Sequence, residues 1–205
     1  MPTSIKDLEE TFNLCYSKTI KWGNPVQESN YGIYIVSTSR TKEYLPHSFR
    51  RPSFSAAQID SWLKNAPMIS LNNVKPRKLD LIRLLNGFWL ADESILYIGK
   101  AQKQPLSKRI QQFYDHKPGK SSPHKGGYWL KLLNRLDGLY IHLYITNSSD
   151  QVEKMLLNHF MDNVSEATKK KLTDTKLSIP FANLKSGLGK IKKHGLKNHV
   201  ENKLK

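Results

Sequence analysis

Tyr31-Gly32-Ile33-Tyr34-Ile35-Val36-Ser37 is a run of aromatic and β-branched residues between polar neighbours, and Ile95-Leu96-Tyr97-Ile98-Gly99 is a second. Both predict strands, because such side chains pack well on a pleated surface. Between them, Ser55 to Asn65 and Leu79 to Leu90 carry Ile, Leu and Trp at helical spacing and are separated by Pro67 and Pro76, so residues 38–93 or so are expected to form a helical insertion. Downstream, Leu106, Ile110, Phe113 and Tyr114 repeat on one helix face, while Arg109, Gln112 and His116 fall on another, so Arg109 and His116 are expected to point into one cleft. Ser121 to Gly127 reads as a loop and Tyr128 to Leu133 as a short helical segment. Leu139, Ile141, Leu143 and Ile145 alternate with Tyr140, His142 and Tyr144, which predicts a half-buried strand, and Gln151 to Asn163 predicts a helix with Asp150 as N-cap.

The flanks read differently. Ile5, Leu8, Phe12 and Cys15 step by three and four, which predicts one amphipathic helix from Ser4 to Lys18 in an N-terminal arm spanning residues 1–24. The segment after Leu184 carries seven lysines and one glutamate, and is expected to be a mobile basic tail over 185–205. The core then lies in 25–184.

Charge narrows the function. The 205 residues include 33 Lys+Arg against 17 Asp+Glu, a net charge of +16 with a pI near 9.8, which favours a polyanionic partner through phosphate contacts and counterion release. A single cysteine, Cys15, excludes an intrachain disulfide or a cysteine-cluster zinc site, and no Gly-rich triphosphate loop is present. Every apolar stretch is interrupted by polar residues, and no basic patch followed by an apolar run opens the chain, so a cytoplasmic protein without a membrane partner is expected.

Gly32-Ile33-Tyr34, Tyr97-Ile98-Gly99, a helical Arg109, Glu153 at the start of a later helix and Pro180-Phe181-Ala182-Asn183 resemble, in that order, the signature of the GIY-YIG nucleases. Each short string alone is weak; the ordered set covers Gly32 to Asn183. The resemblance implies an α/β (α+β) fold with a small, mostly antiparallel three-stranded central sheet flanked by helices, and hydrolysis of DNA phosphodiesters. About 60 positions separate Tyr34 from Tyr97, where the family has a short hairpin, so the insertion must loop out for the two strands to pair.

The residue types suit that chemistry. Phosphodiester hydrolysis needs a water made nucleophilic and the extra charge of the transition state stabilised. Glu153 is the candidate ligand for one Mg²⁺ or Mn²⁺, hard cations that take carboxylate oxygen, although Asp150 with Glu153 also reads as a helix-capping pair. The guanidinium of Arg109 matches a phosphate in shape and charge. By resemblance, Tyr34 is the candidate general base with Tyr97 supporting it, and Asn183 fixes the geometry. Lys100 could stabilise a phenolate or contact phosphate. Some family members carry His or Tyr one helical turn beyond the arginine; here that residue is Phe113, which leaves Tyr114 and His116 as substitutes and His124 as a further histidine placed to help. Candidate contacts to double-stranded DNA are Arg50, Arg51, Lys75, Arg77, Lys78 and Lys125. A type II restriction-like enzyme is the leading expectation, which leaves a homodimer open; a repair or mobile-element nuclease, or a non-catalytic binder on the same fold, are the alternatives.

Overall fold

The computed structural model describes residues 2–44, 51–122, 124 and 127–200. In chain order the elements are α1 (Ile5–Thr11), β1 (Cys15–Lys21), β2 (Gly32–Ser37), α2 (Ala56–Asn65), β3 (Ser70–Leu71), α3 (Lys78–Asn86), β4 (Ile95–Ala101), α4 (Leu106–Asp115), β5 (Tyr140–Ile145), α5 (Ser149–Asn163), α6 (Glu166–Lys169) and β6 (Leu196–Lys197). Two short 3-10 turns, Tyr128–Leu132 and Leu136–Gly138, precede β5.

The main sheet is antiparallel in the order β1-β5-β2-β4. The mixed α/β class and the antiparallel pairing agree with the sequence expectation. The strand count does not: a fourth strand comes from the N-terminal segment, where one helix was expected through Lys18. That helix ends at Thr11 because Asn13 takes a left-handed backbone conformation (φ 46°) and turns the chain. Cys15–Lys21 then lies along β5, pairing Ile20 with Ile141 and Thr19 with His142. Its side chains are exposed or half-buried, so hydrogen-bonding to an open strand edge sets its structure more than apolar periodicity does.

β2 is central and β4 is its outer neighbour, in register Tyr34↔Gly99, Ile35↔Ile98 and Val36↔Tyr97. The insertion therefore loops out and the two strands pair as the spacing required. Because side chains alternate along a strand, Tyr34, Val36 and Tyr97 share one face, and Ile33, Ile35 and Ile98 the other. The first face packs on Ile59 and Trp62 of α2, Leu81 and Leu85 of α3, Ile110 and Phe113 of α4, and Trp129. The second packs on Ile5 and Leu8 of α1 and Leu156, Leu157 and Phe160 of α5. At about 25 cal/mol per Å² of apolar surface, fully burying each large side chain contributes about 1.5–3 kcal/mol. Both layers are thus stabilised by apolar burial.

Residues 185–200 pack on the rest of the chain, against the expectation of a mobile tail. β6 pairs with β3 (Ser70↔Lys197, Leu71↔Leu196), Trp62 donates its indole N–H to the His199 carbonyl at 2.8 Å, and Leu196 and Val200 are buried. A few apolar residues spaced among the lysines hold the segment on the insertion. Among the described residues no helix is long and apolar enough to cross a membrane.

Candidate active site

Being an edge strand, β4 lets groups from both sheet faces and from beyond its open side meet around Tyr97, Gly99 and Lys100. A cleft of about 580 Å³ opens there, lined by Tyr97, Lys100, Asp150, Glu153, Asn183 and Lys185 among others. A second depression of about 350 Å³, lined by Lys100, Gln104 and Arg109, adjoins it through Lys100.

Tyr34 and Tyr97 lie diagonally across the β2–β4 pair with ring centroids 5.8 Å apart. Gly99 makes this possible. A Cβ there would lie 2.5 Å from Tyr34 Cζ and 2.6 Å from Tyr97 Cε1, so any side chain would expel one ring. Burial pushes the Tyr34 phenol up to about 12, although the Arg109 charge and the interaction with Tyr97 act in the opposite direction. Burial likewise raises Tyr97 well above the usual phenol range, with the neighbouring Tyr34 and Glu153 adding to it. Both are phenols at neutral pH.

The Tyr34 hydroxyl is 2.9 Å from Nε2 of His124. The imidazole of His124 stacks on the Phe113 ring at 4.5 Å and 11°, and Phe113 in turn touches Tyr34 and Tyr97 at 6.3 and 5.4 Å. Phe113 therefore occupies the helix position beyond Arg109 and carries on its face a histidine from the following loop. Sequence reading offered Tyr114 and His116 as substitutes at this position, with His124 also placed to help, and expected His116 to share a cleft with Arg109. The structure corrects it: His116 is the C-cap of α4, only 1% exposed, behind His124 at 6.4 Å, and neither ring nitrogen has a hydrogen-bond partner among the described residues. Burial drives its pKa down to about 4, so the ring is neutral. The direction α4 gives to residue 109 is lost at residue 116, where the helical backbone ends. Tyr114, the other substitute, turns away to donate to the Asn24 carbonyl at 3.2 Å.

Across β4, the Lys100 ammonium bridges two carboxylates of α5, Asp150 at 2.5 Å and Glu153 at 2.7 Å. The N-cap of α5 is Ser148, not Asp150 as expected; the Asp150 carboxylate is engaged by Lys100 and by Lys154 at 2.6 Å. Their hydrogen bonds hold its carboxyl down at about 2. Burial raises the Glu153 carboxyl above its ordinary value, against the Lys100 hydrogen bond. Burial alone would lower Lys100, but its bonds to the two carboxylates leave it raised. Glu153 is thus a half-buried carboxylate on a roomy cleft, with one ammonium as counter-charge.

Asn183 pins the opposite side of β4. Its side chain accepts from the Ile98 N–H at 2.9 Å and donates to the Ile98 carbonyl at 2.8 Å, while the Ala182 N–H donates to the Leu96 carbonyl at 2.9 Å. The Pro180–Asn183 string therefore acts as a surrogate strand on the edge. It is held by Lys192, a buried residue whose Nζ donates to the carbonyls of Pro180 (2.8 Å) and Phe181 (2.7 Å) between the rings of Phe88 and Trp129. Burial lowers the Lys192 pKa well below the usual lysine value.

Tyr34, Tyr97, Lys100, Arg109, Glu153 and Asn183 thus share one neighbourhood. Lys192 is the group that sequence reading missed, and His124, named there only as a further histidine placed to help, is the one that reaches Tyr34. A histidine in a loop and a lysine in a basic segment carry no local signal of burial. Of the basic clusters, Arg51 and Lys75 are exposed, Arg77 pairs with Asp80 at 3.2 Å and Lys78 with Asp60 at 2.7 Å. Lys75 lines a separate depression with Arg83 and Lys193, outside the Glu153 cleft. Arg50 and Lys125 lie outside the described residues. Among the described residues no group of three or more His, Cys, Asp or Glu side chains gathers as a metal site. Comparison of the chain with protein-family models, with curated proteins and with solved structures gives no match.

Proposed function

We propose that this chain is a divalent-metal-dependent endonuclease that hydrolyses phosphodiester bonds of double-stranded DNA, on the GIY-YIG pattern and of the restriction type. The observation that carries the reading is the meeting, around one strand edge, of two phenols, a guanidinium, an ammonium, a carboxylate and a histidine from separate segments of a chain with net charge +16.

The donor chemistry fits a single hard cation. Glu153 offers carboxylate oxygen on an open cleft, with Asp150 beside it, and water and phosphate oxygens would complete the coordination of Mg²⁺ or Mn²⁺. When bound, the cation supplies Lewis-acid stabilisation of the phosphate charge. Lys100 would then release Glu153 and keep its contact with Asp150. Arg109 binds the scissile phosphate and stabilises the charge that grows on it in the transition state.

A phenol near pKa 12 is a weak base as it stands, so Tyr34 is assigned as a relay. Its oxygen takes a proton from the attacking water as its own O–H proton passes to Nε2 of His124, the imidazole starting in the Nδ1–H tautomer. Tyr97 orients Tyr34, and Asn183 fixes the backbone next to Tyr97.

Plasmid incubated with the protein is expected to be cut with Mg²⁺ and left intact with EDTA or with Glu153→Ala. Intact plasmid in every lane, alongside salt-sensitive DNA binding, would favour a binding protein instead.

A further inference from the structure

The far wall of the cleft is a small hairpin, Leu184 to Lys192. The N–H of Ser186 donates to the Lys190 carbonyl at 2.8 Å, that of Gly189 to the Ser186 carbonyl at 3.0 Å, and that of Lys190 to Ser186 Oγ at 3.1 Å. At its base the Lys192 N–H donates to the Leu184 carbonyl at 2.9 Å, and Lys185 bridges Ile191. Two anchors fix it: the buried Lys192 amine on the Pro180 and Phe181 carbonyls, and Gly187, which sits so close to the Lys154 backbone of α5 that a Cβ would collide with it.

A loop held this firmly nevertheless spends its tip on apolar exposure. Leu188 is 68% exposed and Ile191 65%, although leucine on a loop tip gains nothing from water. Around them Lys185, Lys190 and Lys193 are exposed and make no ion pair among the described residues. The tip lines the same cleft as Glu153. A pre-ordered apolar knob between free ammonium groups, beside a phosphate-handling site, has the chemistry of a DNA groove contact. Lysines meet the backbone, and an apolar side chain meets sugars and base edges that water would otherwise cover.

We infer that the Leu184–Lys192 hairpin engages duplex DNA next to the cut bond, with Leu188 entering a groove and Lys185 and Lys190 holding flanking phosphates. This rests on the nuclease reading for its substrate. Because the hairpin is anchored through Lys192 to the string that carries Asn183, DNA bound there is aligned with Tyr97 and Glu153 by rigid contacts rather than by a flexible tail.

The test is fluorescence anisotropy of the full chain in EDTA with a labelled mixed-sequence duplex of about 30 base pairs over a range of salt, with plasmid cleavage in Mg²⁺ run in parallel. Leu188→Ala is expected to weaken duplex binding about 3- to 10-fold and Leu188→Asp by more than about 10-fold, whereas Met68→Asp, at a comparably exposed site off the cleft, has little effect. Lys185→Ala with Lys190→Ala should lower the salt slope by about 2. Leu188→Ala binding like wild type overturns the inference, and a wild type that still cuts leaves the nuclease reading standing. A wild type that cuts nothing but loses duplex binding in the Leu188 variants sinks the nuclease reading and supports the surface. A wild type that binds no duplex overturns the inference.

Discussion

Removing the side chain of Asn183 tests whether the edge of β4 is held by two hydrogen bonds, as the geometry requires. In Asn183→Ala the Ile98 N–H and C=O lose partners at 2.9 and 2.8 Å in a position where Asn183 itself is only 6% exposed. A buried polar group left without a partner costs about 1–3 kcal/mol, so the pair costs about 2–4 kcal/mol once partial access of water is allowed for. For a chain of this size each kcal/mol shifts the melting temperature by about 2–4 °C, and urea midpoints fall in proportion. Asn183→Asp should do no better: one oxygen still accepts from the N–H, but the other carboxylate oxygen faces the Ile98 carbonyl, which it cannot donate to. Because Ile98 lies between Tyr97 and Gly99, DNA cleavage should fall about 10- to 100-fold even at temperatures where the variant is fully folded. Urea unfolding of both variants, with plasmid cleavage at low temperature, makes the measurement. An Asn183→Ala stability within about 0.5 kcal/mol of wild type would refute the reasoning, since it would mean water replaces the amide at no cost.

The two neighbouring histidines should separate cleanly. His124→Ala is expected to lower cleavage about 10²- to 10⁴-fold, while His116→Phe leaves cleavage at the wild-type level. His116→Phe should also flatten acid unfolding. A folded-state pKa of about 4 against 6.5 means the unfolded chain binds the extra proton, so wild-type stability falls by about 3 kcal/mol as pH drops from 6.5 to 4, and urea midpoints against pH show whether the variant lacks this loss. Lys192→Met tests the buried amine. Its folded pKa lies well below the unfolded value, so between the two the unfolded chain binds more protons and wild-type stability rises with pH by up to about 1.4 kcal/mol per unit. The methionine variant should lose that slope, and an unchanged slope would show that Lys192 stays charged. Gly99→Ala should cost about 3 kcal/mol by driving a Cβ into Tyr34 and Tyr97 and should abolish cleavage, measured by thermal unfolding and the plasmid assay.

Much of the architecture was legible because apolar period and turn residues carry it locally. β2, β4 and β5, and the helices α2 to α5, lie where alternating or three-and-four spacing put them, to within a few residues. Tyr34, Tyr97, Arg109, Glu153 and Asn183 also each sit in the kind of element that their sequence context predicts. β1 was not legible. Its first residue continues the apolar spacing of α1, and it becomes a strand because β5 offers unpaired backbone groups beside it.

What the sequence determined by itself is the set of local preferences: which stretches extend, which coil, where the positive charge accumulates, and which residue types could handle a phosphate. Tertiary structure alone decided which of those residues meet. Asp150 had a local capping role on offer, but the Lys100 ammonium from another element captured it. His116 lay on the Arg109 face of the helix pattern, yet helix α4 ends there and the ring is sealed behind His124. The lysine-rich C-terminal segment reads as solvated, yet Lys192 is buried because two carbonyl groups of the Pro180 turn await donors. The physical reason is common to all three. Burial and hydrogen-bond partnership depend on atoms brought close by the fold, and these energies, about 1–3 kcal/mol per buried polar group, exceed the few tenths that local propensity contributes.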